Sequence, residues 1–218
     1  MNKISKRLEL IASLVDADIV ADVGCDHGKL AKKILDENKA NFVYISDISA
    51  PSLKKAETLL SEYSNHKSIC CDGLKGYGNL KIDECVISGM GGEEILKIIS
   101  SSPIDINSYI LSPQHNNIKL KEYLISNNFE IVFDIIIEDK SKFYNVFKCR
   151  KTKCKINYDL FDIYFGKNNF NDNEDFDKFL MEEYNKCSNI LKVNPNIKDK
   201  KDYLELLLQA IKRKGIKL

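Results

Sequence analysis

No stretch of this 218-residue chain approaches the ~18 consecutive apolar residues that a membrane-spanning helix needs, so it is expected to make no contact with a bilayer core. Met1 to Ala12 mixes acid and base with its apolar residues and shows no cleavage-site pattern. No signal peptide is visible, and a cytoplasmic location is the expectation. The seven cysteines (25, 70, 71, 85, 149, 154 and 187) contain no C-x-x-C pair and no histidine at ligand spacing, which argues against a metal centre or redox pair. Several sit inside apolar runs and read as small buried residues in a reducing compartment. Arginine is scarce as well: Arg7, Arg150 and Arg213 stand among 33 basic residues. With abundant Asn and Ile, this bias fits an AT-rich coding sequence, so the lysines carry little functional weight.

Two further absences narrow the chemistry. There is no P-loop lysine, and the dinucleotide fingerprint G-x-G-x-x-G is not met, since Asp26 stands where its second glycine belongs. What is present instead is Ile19-Val-Ala-Asp-Val-Gly-Cys-Asp-His-Gly28, an apolar run ending in an acid and opening into a glycine-punctuated turn ahead of a helical pattern. Gly24 and Gly28 let the backbone approach a ligand, and the helix start offers free N–H groups.

The same arrangement recurs down the chain. A second apolar run, 42–45, ends at Asp47 and Ile48; a third, 68–71, ends at Asp72-Gly73; a fourth, 84–87, ends in Ser88-Gly-Met-Gly-Gly92. All fall at predicted strand C-termini, where open α/β sheets bind ligands. Acids on three successive strands suit a ligand with a ribose, an adenine and a cationic amino-acid end. Asp47 is placed to accept the ribose diol, Asp72 the adenine amino group, and Asp22 with the Gly24 backbone the cationic end. S-adenosylmethionine fits this set better than NAD or ATP.

Periodicity predicts a helix over 4–15 with Ser5 as cap, strand 19–23, helix 28–38, strand 42–46, helix 51–63, strands 68–71 and 84–88, helix 92–100, strand 108–112 and helix 117–127. Two long strands, 129–137 and 143–149, follow around a polar turn. Alternating strands and helices give a parallel sheet with right-handed crossovers, and the closing hairpin makes one edge antiparallel. Dinucleotide-binding sheets usually lack that ending, whereas the class I Rossmann-like methyltransferase sheet has it. Beyond Arg150 strand signals fade, and apolar residues from Phe176 to Leu191 and from Tyr203 to Ile211 repeat at three and four around Asn194-Pro195-Asn196. These predict two amphipathic helices in a helical hairpin or antiparallel coiled coil, free either to dimerise or to pack on its own catalytic domain.

Charge is uneven: residues 1–150 hold 19 basic and 21 acidic residues, net −2, and residues 151–218 hold 14 and 11, net +3. The basic runs 148–155 and 212–217 read either as solvated faces or as contacts for nucleic-acid phosphates.

Through Ile4-Ser-Lys-Arg-Leu8, Ala21-Asp-Val-Gly-Cys-Asp-His-Gly28, Asp72-Gly-Leu74, Ser88-Gly-Met-Gly-Gly92 and Leu111-Ser-Pro-Gln114, the chain resembles the TrmK family of bacterial tRNA (adenine-22-N1) methyltransferases. The resemblance continues through Glu138–Val146 and the helical tail, covering essentially the whole chain. Departures are Cys25 for the family's Ser, Gly28-Lys29 for Ala-Tyr, Asp47 for Glu, and Ser112-Pro113-Gln114 for Gln-Pro-Asn. The resemblance implies a methyltransferase domain over 1–152 using S-adenosylmethionine and a coiled-coil domain over 153–218 that helps hold tRNA.

On this reading the cofactor is held by Asp22, Gly24, Cys25, Gly28, Asp47, Ile48, Asp72, Gly73, Ser88, Gly89 and Met90. Asp26 and His27 act at the reacting base, and Arg7, Gly91, Gly92 and Gln114 face the substrate. Plainer alternatives stand beside these. Asp26 serves equally as a cap on the helix opening at Gly28, His27 as an imidazole locked by a backbone hydrogen bond, and Met90 as packing; of the other histidines, His115 is better placed for the pocket than His66. A methyltransferase of a small molecule or protein, or a non-catalytic RNA-binding relative, remains open on the residues alone, because one fold hosts many functions.

Overall fold

A computed structural model describes residues 4–218; the first three residues of the predicted 1–152 domain lie outside that range. Helix α1 (Lys6–Ser13) lies inside the predicted 4–15, two residues short at each end, with Ser5 as its cap: Ser5 Oγ accepts the Leu8 N–H at 3.4 Å. The sheet follows: β1 (Ile19–Val23), β2 (Phe42–Asp47), β3 (His66–Cys70), β4 (Glu84–Ser88), β5 (Ser108–Ser112), β6 (Phe129–Asp139) and β7 (Lys142–Lys151). Their order is β3-β2-β1-β4-β5-β7-β6, parallel from β3 through β5, with β7 antiparallel to both β5 and β6. β1 lies at the centre of the parallel part, which puts its C-terminal loop at the point where the chain switches direction across the sheet.

Helices α2 (Lys29–Asp36) and α3 (Ala50–Leu59) join α1 on one face; α4 (Gly92–Ser100) and α5 (Asn117–Ser126) cover the other. Pro51 occupies the first turn of α3, where its missing N–H costs nothing, and Ser49 caps the helix. Helix α3 stops at Leu59, four residues short of its predicted end. β3 begins at His66, two residues before its prediction, because an edge strand with half-exposed polar residues carries no apolar signal. The hairpin turn is tighter than the polar stretch suggested: Lys140 and Ser141, both at positive φ, form a two-residue connection whose twist matches the flanking strands.

The tail holds elements that the fading strand signal did not reveal, a short helix α6 (Leu160–Phe165) and a 3-10 turn over Lys167–Phe170. Helices α7 (Glu174–Val193) and α8 (Lys198–Lys214) form the predicted hairpin. They pack on the chain's own β6: Ile136 joins Phe165, Phe176, Leu180, Cys187, Leu207 and Ile211 in a third core. Asn169, fully buried, accepts the Ile136 N–H at 2.8 Å and the Asn173 amide at 2.7 Å, so the strand's outer backbone edge is paired to the tail. Between α5 and β6, the fully buried Lys121 ammonium lies 2.5 Å from Asp134 and also donates to the Ile163 carbonyl.

Candidate active site

The loops after β1, β2, β3 and β4 enclose a cavity of about 470 Å³. Its geometry begins with the β1 loop. The N–H groups of Gly24 and Cys25 both donate to the Ser46 carbonyl, at 2.8 and 2.9 Å, and the Ser46 hydroxyl accepts from buried Tyr77 at 3.0 Å. The loop is thereby tied to β2. Gly24 takes φ +73°, and a Cβ there would stand 2.3 Å from the Met90 methyl, so glycine lets the two loops meet without displacing the end of Met90.

Asp22 is the electrostatic focus. It is 3% exposed, one carboxylate oxygen has no partner among the described residues, and burial pushes its pKa up to about 7. Nearby Asp47 adds to the rise, and the Ala31 backbone N–H offsets it only in part. A buried carboxylate left without a partner costs stability, and a cationic group entering the cavity would satisfy it.

Asp47 holds the loop as well as facing the cavity. Its Oδ1 accepts from the Ser49 N–H at 2.8 Å and its Oδ2 from the Asp26 N–H at 3.1 Å. Beside it Ile48 is 73% exposed, an apolar side chain lining the cavity with nothing packed over it. Asp72 and Gly73 line the next stretch, with Ile98 below them; Asp72 pairs with Lys75 at 2.5 Å. Ser88, Gly89 and Met90 close the side formed by β4. Cys25 is buried and its thiol is pushed far up, by desolvation first and by Asp22 and Asp47 next, which suits packing and not nucleophilic chemistry.

Asp26 does not cap α2. The capping position is Gly28 in left-handed conformation with no side-chain hydrogen bond, while Asp26 itself sits at φ +49° with its carboxylate turned outward, 71% exposed. That carboxylate lies 3.3 Å from His27 Nδ1, and His27 Nε2 lies 3.3 Å from the Lys55 ammonium. Lysine can only donate, so Nε2 accepts and Nδ1 carries the proton towards Asp26. His27 is therefore held by two side chains, not by the backbone.

Arg7 reaches the cavity from α1, with its guanidinium 4.5 Å from the Tyr144 ring and Nε and Nη1 without acceptors among the described residues. Gln114 borders the cavity, its amide donating to the Gly89 carbonyl at 2.6 Å. Three predicted residues stand apart from the lining. Gly28 instead allows α2 to approach α3, since a Cβ there would meet Ala56 at 2.8 Å. Gly91 and Gly92 bring the β4 loop against the loop after β5, where a Cβ would strike the His115 ring or the Asn116 carbonyl. His115 borders neighbouring clefts, not this cavity, and His66 lies in β3 with Nδ1 on the Tyr63 carbonyl.

Sequence reasoning did not find Leu8, Ser46, Cys71, Glu94 and Ile98, which also line the cavity. None belongs to a glycine-rich turn, and the packing of their strands and helices brings them there.

A family described as a methyltransferase domain matches residues 4–147. A "putative tRNA methyltransferase" from Mycoplasma pneumoniae is 34% identical over 158 residues, covering 70% of this chain and 74% of that one. The Bacillus subtilis tRNA (adenine(22)-N(1))-methyltransferase is 28% identical over 151 residues, 66% of this chain and 63% of its own. Among solved structures, M. capricolum TrmK in complex with S-adenosyl-homocysteine superimposes with a TM-score of 0.85 at 26% identity, covering 97% of this chain and 98% of that one.

Proposed function

Starting from the chain's membership of the TrmK family of methyltransferases, we propose that it transfers a methyl group from S-adenosylmethionine to N1 of adenosine 22 in tRNA. The observation that carries this reading is the buried Asp22 carboxylate, one oxygen of which has no partner among the described residues, at the foot of a cavity built from four strand ends. It matches a ligand with a cationic amino group. Asp47 and Asp72 offer acceptors for a ribose and an exocyclic amine, and Ile48 offers an apolar lid for a ring. When bound, S-adenosylmethionine supplies a methyl on a cationic sulfur, which leaves as neutral thioether as the N1–carbon bond forms.

The chain's own contribution follows from what N1 requires. Enzymes acting on the exocyclic amine typically present an Asn- or Asp-Pro-Pro-aromatic motif after the fourth strand; here that slot is Ser88-Gly-Met-Gly-Gly92. Ring N1 already has an in-plane lone pair and needs no base to expose it. Positioning the ring and stabilising the positive charge it acquires are the remaining tasks. Asp26, outward-facing and held beside His27, accepts the N6–H and offsets that charge. Lys55 and His27 orient it. Reaching N1 inside folded RNA requires the base to leave its stack.

We divide the chain into a catalytic part, 1–152, and a helical part, 153–218, whose excess of basic residues contacts tRNA phosphates. No helix among the described residues is long and apolar enough to cross a membrane, and we place the protein in the cytoplasm with its substrate.

The deciding experiment is methyl transfer from labelled S-adenosylmethionine to bulk tRNA lacking the modification, with nucleoside mass spectrometry and a position map. 1-Methyladenosine at position 22 is the expected product; another nucleoside overturns the assignment of N1. Asp26→Asn should lower kcat at least 100-fold while changing cofactor Kd less than 3-fold, on the scale of a lost transition-state contact. An equal loss in both removes Asp26 from the chemistry.

A further inference from the structure

A second cleft of about 590 Å³ lies beside the cofactor cavity and shares Gln114 with it. Its wall is unusually aromatic for a soluble surface. β7 contributes Phe143 and Tyr144, α6 Tyr164, α7 Phe179 and α8 Tyr203, so four elements converge that are distant in sequence. Phe143 and Phe179 meet edge to face at 5.5 Å, and Tyr164 and Tyr203 lie 6.2 Å apart. All five rings are only partly buried.

We propose that this cleft binds an unpaired nucleobase of the RNA substrate, the neighbour in the chain of the base that enters the cofactor cavity. The inference rests on the tRNA methyltransferase reading and deepens it. Aromatic rings at a cavity of this size suit a flat heterocycle, which stacks on them whatever its sequence. Two cations accompany the rings, as a phosphate-linked ligand requires: Arg7 lies 4.5 Å from the Tyr144 centroid and Lys200 5.8 Å from that of Tyr203.

Arg7 connects the two cavities. It lines the first while its guanidinium rests on a ring that lines the second, and its Nε and Nη1 lack acceptors among the described residues. The polar part of the cleft is rigid. Buried Asn145 donates to Asp134 at 2.6 Å and to the Ile135 carbonyl at 3.1 Å and receives Asn117 at 3.3 Å, so Asn117 is held in place with its amide oxygen, free among the described residues, open to a base edge. One acid lines the cleft, Glu183; it receives the Tyr203 hydroxyl at 3.4 Å and pairs with Lys186 at 3.1 Å. Stacking on one base, and not on a random surface, explains why a catalytic fold keeps a helical tail against its antiparallel edge: the tail supplies three of the five rings.

The test compares wild type, Tyr203→Leu and Tyr203→Phe on three unmodified tRNA transcripts: intact, and with an abasic nucleotide immediately 5′ or 3′ of the target adenosine. Tyr203→Leu is expected to raise the Kd for intact tRNA about 10-fold, the scale of one lost base stack. Tyr203→Phe should keep wild-type binding. On one of the two abasic transcripts, wild type and Tyr203→Leu should bind equally, with cofactor Kd constant throughout. The same loss on all three transcripts, or no loss on any, overturns the cleft as a base site. Ring-dependent binding to intact tRNA without methyl transfer by wild type would overturn the methylation reading and leave the base site standing.

Discussion

Two buried aspartates, one in the central strand of the parallel part and one in the edge strand β6, differ in what stands beside them. Asp22, at the end of β1, is closed off from water with no cation beside it among the described residues, and its pKa rises to about 7. Asp134, in β6, is as deeply buried, and burial raises its carboxyl too, but Lys121 at 2.5 Å and the Asn145 amide oppose the rise. Among the described residues no cation stands beside the first charge, whereas the chain itself supplies one to the second. A buried carboxylate with its own ammonium belongs to the architecture, and one without it, facing a cavity, marks where a cation enters.

Removing the partner from the architectural pair should have the largest effect. Lys121→Met leaves Asp134 buried and unpaired, and is expected to lower unfolding free energy by about 3–5 kcal/mol in urea titrations. A loss below ~1 kcal/mol would mean that the pair contributes no more than a surface one. The matching change at the ligand end, Asp22→Asn, should behave oppositely. It removes a charge that the folded chain holds at a cost, so the ligand-free protein should melt at a higher temperature at pH 8. Cofactor Kd, measured by calorimetry, should meanwhile rise about 10-fold or more with the loss of a charge-assisted contact. A lower melting temperature together with unchanged Kd would erase the distinction between the two aspartates.

The pH dependence sharpens the same contrast. Because the folded pKa of Asp22 lies above its unfolded value of 3.8, its contribution to stability is fully present below that value. It is lost as the pH rises through about 7. Binding of a cation requires the ionised form, so S-adenosylmethionine affinity should strengthen between pH 5.5 and 7.5 in wild type and stay flat in Asp22→Asn. A flat wild-type profile would show that Asp22 is already ionised at low pH. The smallest effect is expected at the loop itself. Gly24→Ala places a Cβ at positive φ against the flexible end of Met90, costing about 1–2 kcal/mol in thermal unfolding. Cofactor affinity should fall alongside it.

What could be read from the chain alone was whatever short-range pattern encodes. β1, β4, β5 and the β6–β7 hairpin alternate or run apolar, and their C-terminal acids and glycines announce themselves at fixed positions. Fourteen of the predicted site residues consequently do line the cavity, from Arg7 through Gln114. α6 was missed because its six residues are too short to show a period, and β3 started early because an edge strand needs few apolar residues. Local spacing likewise could not separate a helix cap from an outward carboxylate at Asp26; the left-handed turn at Asp26 and Gly28 did.

By itself, then, the order of residues determined the strand–helix alternation, the antiparallel closing edge, and a ligand loop with an acid at the end of each of three strands, since each is written within a few neighbouring positions. Tertiary structure alone decided that Asp22 has no cation beside it among the described residues while Asp134 has Lys121, that the helical tail lies on β6, and that Tyr144, Tyr164 and Tyr203 share one cleft. The physical reason is the same in each case: burial, ion pairing and ring convergence depend on groups up to dozens of residues apart, and no local period records which of them will meet.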